Sequence, residues 1–117
     1  MTKERLEKLP SLNREIRRTQ KRLDRLEESR SKSARHKAAL KRTREALDAY
    51  LTEAQQEAAT LMNYIKTIED SSTREIFMLR YYDGIRSWQQ IAFMVGEHDE
   101  SYVRKKHSRY LKKEDAA

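Results

Sequence analysis

Cysteine is absent from the 117 residues, so disulfides and thiolate metal sites are excluded and a reducing compartment suits the chain. Glycine occurs twice and proline once, which leaves few turns. Long apolar runs are missing too: the first run of even five is IAFMV at 91–95, too short to span a bilayer or to form a secretory core. A soluble cytoplasmic protein without membrane contact is expected. No nucleophile stands with a base, no glycine loop would cradle a phosphate, and no carboxylates pair in an apolar context, so neither an enzyme nor a small-molecule substrate or cofactor is expected. His36, His98 and His107 lie apart without metal-ligand spacing, and no metal is expected.

What is present is charge. Charged residues make up 38% and apolar residues 37%, and Ala, Leu, Glu, Lys, Arg and Gln dominate, which points to an all-α protein with much solvated surface. The net charge of +7 and the pI near 9.7 favour polyanionic partners. Residues 1–45 hold sixteen Lys/Arg against seven Asp/Glu, residues 46–72 one against five, and residues 73–117 nine against seven, so two basic regions flank an acidic middle.

Apolar residues recur every seven positions in the first of these regions. Leu9, Ile16 and Leu23 form one row, with Leu12, Thr19 and Leu26 beside it. A second seam in the same phase runs through Leu40, Leu47, Ala54, Leu61 and Ile68, with Leu51, Ala58 and Ile65 alongside. Arg30, Ser33, Lys37 and Arg44 hold the core positions between them, and burying these against their own copies in a parallel dimer would cost desolvation and repulsion. A helical hairpin cornering at SRSKSARHK, 29–37, is the favoured solution, with an intermolecular coiled coil as the alternative. Pro10 fits a first helical turn, and the residues before it are expected to be frayed or to form a separate short turn.

Beyond residue 70 the heptad gives way to short capped segments. Ser72-Thr73-Arg74-Glu75 reads as a capping box opening a helix that carries Ile76, Phe77 and Leu79 inward and stops at Asp83-Gly84. Ser87-Trp88-Gln89-Gln90 is a second box, followed by Ile91, Ala92 and Val95 at helical spacing until Gly96. Asp99 then caps a third helix with Val103, His107, Tyr110 and Leu111 on one face and Ser101, Arg104, Lys105, Ser108 and Lys112 on the other. Between Val103 and Lys113 six residues are Lys or Arg and none is acidic. A short helix, a glycine turn and a basic amphipathic helix make up the arrangement that sets a recognition helix, here about 100–113, into a major groove.

REIFMLRYYDGIRSWQQIAFMVG, followed by YVRKKHSRYLKK, resembles the fourth conserved region of bacterial sigma factors, and more closely phage-encoded sigma-like proteins related to the ArpU group of late-gene regulators. The shared landmarks are Arg74, Leu79-Arg80-Tyr81, Gly84, Ser87-Trp88, Ile91-Ala92, Gly96, Val103-Arg104, His107 and Leu111, over the C-terminal third of the chain. Between Gly96 and Val103 the chain is about one residue longer and more acidic than such motifs. The resemblance implies a transcription regulator of phage or prophage origin, nucleoid-associated in a bacterial host, and it brings RNA polymerase into consideration as a partner.

Arg104 and Lys105 are the donors expected at guanine edges, Ser101 and Ser108 reach bases or phosphates, and Arg109, Lys112 and Lys113 suit phosphates. Tyr102 is placed beside DNA or in a polar staple, while Trp88, Tyr81 and Tyr82 are expected in the core. Arg14, Arg17, Arg18, Lys21, Arg22 and Arg25 allow three roles: a coil face salt-bridged to the acids between Asp48 and Asp70, a second DNA backbone contact, or a dock for an acidic partner. The expected architecture is thus all-α: an N-terminal long helical hairpin or coiled coil at 1–70 for self-association as a homodimer, then a three-helix helix-turn-helix module at 71–117 binding double-stranded DNA. The competing functions are a phage DNA-packaging protein resembling a terminase small subunit, and a helical adaptor with a degenerate helix-turn-helix.

Overall fold

The computed structural model describes residues 1–28 and 34–116, with 115 and 116 described in the backbone alone. Every element among them is helical: α1 (Lys3–Glu7), α2 (Leu9–Glu28), α3 (Ala34–Lys66), α4 (Ser71–Phe77), α5 (Trp88–Met94) and α6 (Glu100–Ala116). None of these helices is long and apolar enough to cross a membrane.

Packing groups the chain into two compact units. One compact unit is Ser11–Ala59; the other joins Met1–Pro10 to Thr60–Ala117. The reason lies in the apolar rows. Leu61, Ile65 and Ile68 prolong the heptad, yet they are fully buried in the unit that holds α4, α5 and α6. Leu6, in the segment expected to be peripheral, and Leu9, expected in the first seam, are also fully buried there. The Thr2 hydroxyl caps α1 by accepting from the Arg5 amide at 3.2 Å, and Pro10 sits in the first turn of α2, where its missing N–H costs nothing.

In the Ser11–Ala59 unit the Tyr50 hydroxyl donates to the Glu15 carboxylate at 2.6 Å. One unbroken helix would hold these residues about 50 Å apart, so α2 folds back along α3 as a hairpin within the chain. Leu23, Leu51, Ala54 and Ala58 are buried, and Lys37 and Arg44, core positions of an unbroken heptad, are exposed to water instead. Of the proposed corner at 29–37, residues 29–33 lie outside the described residues and the last four already belong to α3.

The other unit is built on short helices whose ends are fixed by caps and glycines. Asp70, and not Ser72, caps α4: its carboxylate accepts from the Thr73 amide at 3.1 Å and the Thr73 hydroxyl at 2.6 Å. A carboxylate at a helix N-terminus satisfies a free amide and also meets the positive end of the dipole, which leaves Ser72 in the second position of the helix. After Phe77 the helix widens over Met78–Tyr82, where the Asp83 amide reaches back five residues to the Met78 carbonyl at 3.0 Å. Gly84 then takes φ +73°, and a Cβ placed there would sit 3.4 Å from Cβ of Pro10. Ser87 caps α5 through the Gln90 amide at 3.2 Å, Gly96 ends the next turn at φ +81°, and Asp99 caps α6 through the Ser101 amide at 2.9 Å. Ile76, Leu79, Ile91, Ala92 and Val103 form the core these helices share, with Ile85, Trp88 and Val95 packed against it.

Leu6→Ala is expected to lower unfolding stability by about 2–5 kcal/mol, as for other fully buried leucines. Denaturant titration checks this, and a loss below roughly 0.5 kcal/mol, the size of a surface substitution, would mean that α1 is not part of the folded unit.

Candidate nucleic-acid interface

The inner side of α6 decides which side it shows to water. Val103, His107 and Leu111 are buried and Tyr110 is half-buried. His107 is held among Phe77 and Trp88, each with ring centroid 4.9 Å away, and Tyr81 at 5.6 Å. Its Nε2 is hydrogen-bonded to the Tyr81 hydroxyl, while Nδ1 has no partner. Burial, aided by the charges of Arg80 and Lys3, lowers the His107 pKa to about 4, and burial pushes the Tyr81 hydroxyl upward, so both rings are neutral at pH 7. Tyr81 is a core residue as expected; Tyr82 is not, being half exposed on the widened turn.

With that side fixed, Ser101, Lys105, Ser108, Arg109 and Lys112 form one outward stripe, flanked on one edge by Tyr102 and Lys113. The stripe spans roughly 140° of the helix and carries no acid. Arg104 departs from it. It lies toward the Leu111 side and pairs with Glu100 at 3.4 Å in an exposed contact of little energetic weight. Asp99, Ser101, Tyr102, Lys105, Lys106 and Arg109 line an open depression of about 400 Å³ near the start of α6. The Ser101 amide and hydroxyl, together with Lys105 and Arg104, lower the Asp99 pKa, so its carboxylate stays ionised on the helix end.

Lys106 is the residue whose role the sequence did not mark. Its ammonium is 3.1 Å from the Asp70 carboxylate and 5.6 Å from the centre of the Tyr102 ring, so it ties α6 to the cap of α4. Burial disfavours its charge, but Asp70 and Tyr102 outweigh this and raise its pKa. The Thr73 hydroxyl, Lys106 and the Thr73 amide bring Asp70 down to about 2. Spacing alone offers only the pair Tyr102 and Lys106, four apart; the Asp70 contact links residues 36 positions apart. Arg80 plays a similar part before α5, with its guanidinium 4.3 Å from the Trp88 ring and its N–H groups donating to the Ile85 and Arg86 carbonyls. Phe93 and Met94, from the apolar run at 91–95, are 83% and 49% exposed and stand outside the core.

No group of His, Asp and Glu among the described residues could hold a metal ion; Asp99 is engaged in capping. Comparison of the chain with family models, curated proteins and solved structures gives no match in any of the three.

The buried neutral His107 sets a pH dependence. Its folded pKa, about 4, lies below the ordinary 6.5, so the unfolded chain binds the extra proton and stability falls as pH drops from 6.5 toward 4. The loss is expected to reach about 3 kcal/mol, and Asp70 adds to it only below pH 3.8. Denaturant titrations of wild type and His107→Phe at several pH values should show a steep fall between pH 6.5 and 4 in the former only; parallel curves would place His107 in contact with water.

Proposed function

We propose that the protein is a sequence-specific double-stranded DNA-binding transcription regulator of phage or prophage type, with α6 entering the major groove. One observation carries this: the outward side of α6 is a continuous basic stripe without acids, on a helix whose inner side is locked by a packed core. Base readout needs donors held at a constant angle to the groove, and phosphate contacts need flanking cations. Lys105 and Arg109, at the centre of the stripe, are the donors assigned to base edges, with Ser101 beside them. Lys112, Lys113 and the displaced Arg104 are assigned to phosphates, and Tyr102 to the groove wall.

The turn ahead of α6 supports the same assignment. Met94 and Glu100 are joined by residues 95–99, with Gly96 in the left-handed conformation that such turns use. The resemblance of this segment to sigma-like regulators supplies the transcriptional role and keeps RNA polymerase as a candidate partner. A homodimer completes the proposal, since two modules read paired half-sites where one binds weakly. The α2–α3 hairpin buries Leu23, Leu51, Ala54 and Ala58 within one chain and leaves Leu12, Ile16, Leu26, Leu40 and Leu47 half-buried, available to a second copy.

Selection from random duplexes across a salt series, with the mass of the free protein measured in the same buffer, tests this. One enriched motif and a steep salt slope are expected for wild type. Lys105→Ala with Arg109→Ala should abolish the enrichment and weaken motif binding by roughly 30-fold or more, at about 1–3 kcal/mol per base contact. Absence of enrichment by the wild type would overturn the proposal, and a ring-sized assembly would favour a packaging protein.

A further inference from the structure

Five of the seven net positive charges belong to the unit Ser11–Ala59, which holds thirteen Lys/Arg against eight Asp/Glu. Arg14, Arg17, Lys21 and Arg25 lie on the side of α2 opposite Leu12, Ile16 and Leu23, with Arg18 and Arg22 toward one edge; all six are exposed, and Asp24 and Glu28 share the cationic side. The expected neutralisation by the acids that follow Asp48 does not occur here. Leu23 is buried, the charge of Arg18 acts on the Tyr50 hydroxyl of α3, and among the described residues none of the six cations is held in an ion pair. The register set by Tyr50 and Glu15 also brings Lys21, Arg22 and Arg25 beside the stretch of α3 around Leu40–Arg44, which is itself basic, and not beside the acids.

Six exposed cations against the two acids Asp24 and Glu28 leave this side of α2 strongly positive, and an anionic partner would relieve the remaining repulsion. The chemistry of these cations narrows that partner. Five of the six are Arg, whose planar fork matches phosphate oxygens. Their run of about 16 Å along the helix matches the axial length of roughly five phosphates on one strand of a duplex. An anionic membrane is the poorer fit, because a helix lying on lipid turns an apolar side into the bilayer. The apolar side of α2 faces α3, and the large exposed apolar side chains among the described residues, Tyr50, Tyr82, Phe93, Met94 and Tyr102, all lie off α2.

We propose that this side of α2 is a second, sequence-independent binding surface for the phosphate backbone of duplex DNA. It is independent of α6, and the two can fail separately. The test titrates a random-sequence duplex between roughly 50 and 200 mM salt with three full-length proteins: wild type, a variant carrying Arg14→Gln, Arg18→Gln, Lys21→Gln and Arg25→Gln, and a variant carrying Lys105→Gln and Arg109→Gln. Removing four phosphate contacts on α2 should reduce the slope of log affinity against log salt by roughly 3 to 4, with helicity unchanged. The same four positions changed to Lys should keep the wild-type slope, which separates charge from folding. An unchanged slope in the glutamine variant overturns the α2 surface, whatever the α6 variant does. An unchanged slope in the α6 variant counts only against the α6 assignment. Vesicles of phosphatidylserine and phosphatidylcholine form the last arm: no binding that depends on the four residues is expected, and such binding stronger than that to the duplex would overturn the proposal in favour of a membrane.

Discussion

The orientation of α6 depends on the rings beneath it. Phe77, Tyr81 and Trp88 come from three successive pieces of chain and close on His107, a residue polar enough to take the Tyr81 hydrogen bond and flat enough to stack. Burying an imidazole is tolerable only when it is neutral, and the lowered pKa reflects that. Because the ring is large and fully enclosed, rotation of α6 about its axis would expose His107 and Val103 together and open a void. The cluster therefore does more than contribute stability: it assigns Lys105, Arg109 and Lys112 to water.

Two charged contacts add direction to that packing. Asp70 caps α4 and holds Lys106, so the start of one helix and the middle of another share a carboxylate. Arg80 lies over Trp88 and holds the carbonyls of Ile85 and Arg86, which fixes the turn from which Ser87 opens α5. Both contacts are partly solvated, and their value is geometric more than energetic. Such ties restrict the angle of α6 where apolar packing alone tolerates sliding, as the proposed docking in a groove requires.

The two basic surfaces differ in construction. On α6 the cations alternate with serines and a tyrosine on a helix tied down by a core, a mixture suited to reading base edges. On α2 they form an Arg-rich side of a long amphipathic helix, with Asp24 and Glu28 among them, suited to the uniform charge of a backbone. Positioning and specification are commonly divided between such surfaces in proteins that bind duplexes.

Local signals in the sequence were read well wherever the physics is local. The glycines at the ends of the widened turn and of α5, the Ser87 and Asp99 caps, and the inward row Val103, His107 and Leu111 all follow from spacing and backbone preference, and all are found. The basic stripe of α6 was legible for the same reason, apart from Arg104, whose exit toward Glu100 is a matter of a few tens of degrees of helix phase. Where the outcome depends on partners distant in the chain, periodicity was silent or misleading. Asp70 displaced Ser72 as the cap once Thr73 and Lys106 both converged on it. Leu6 and Leu9 joined the C-terminal unit because burial there is available to them, and the basic side chains of α2 stay exposed without an ion pair. Composition and period thus determined an all-helical chain with a basic last helix, since these depend on residues within a few positions of one another; only the tertiary structure decided which leucines share a core, which carboxylate caps α4 and which cations stay free, because those follow from contacts that no local pattern encodes.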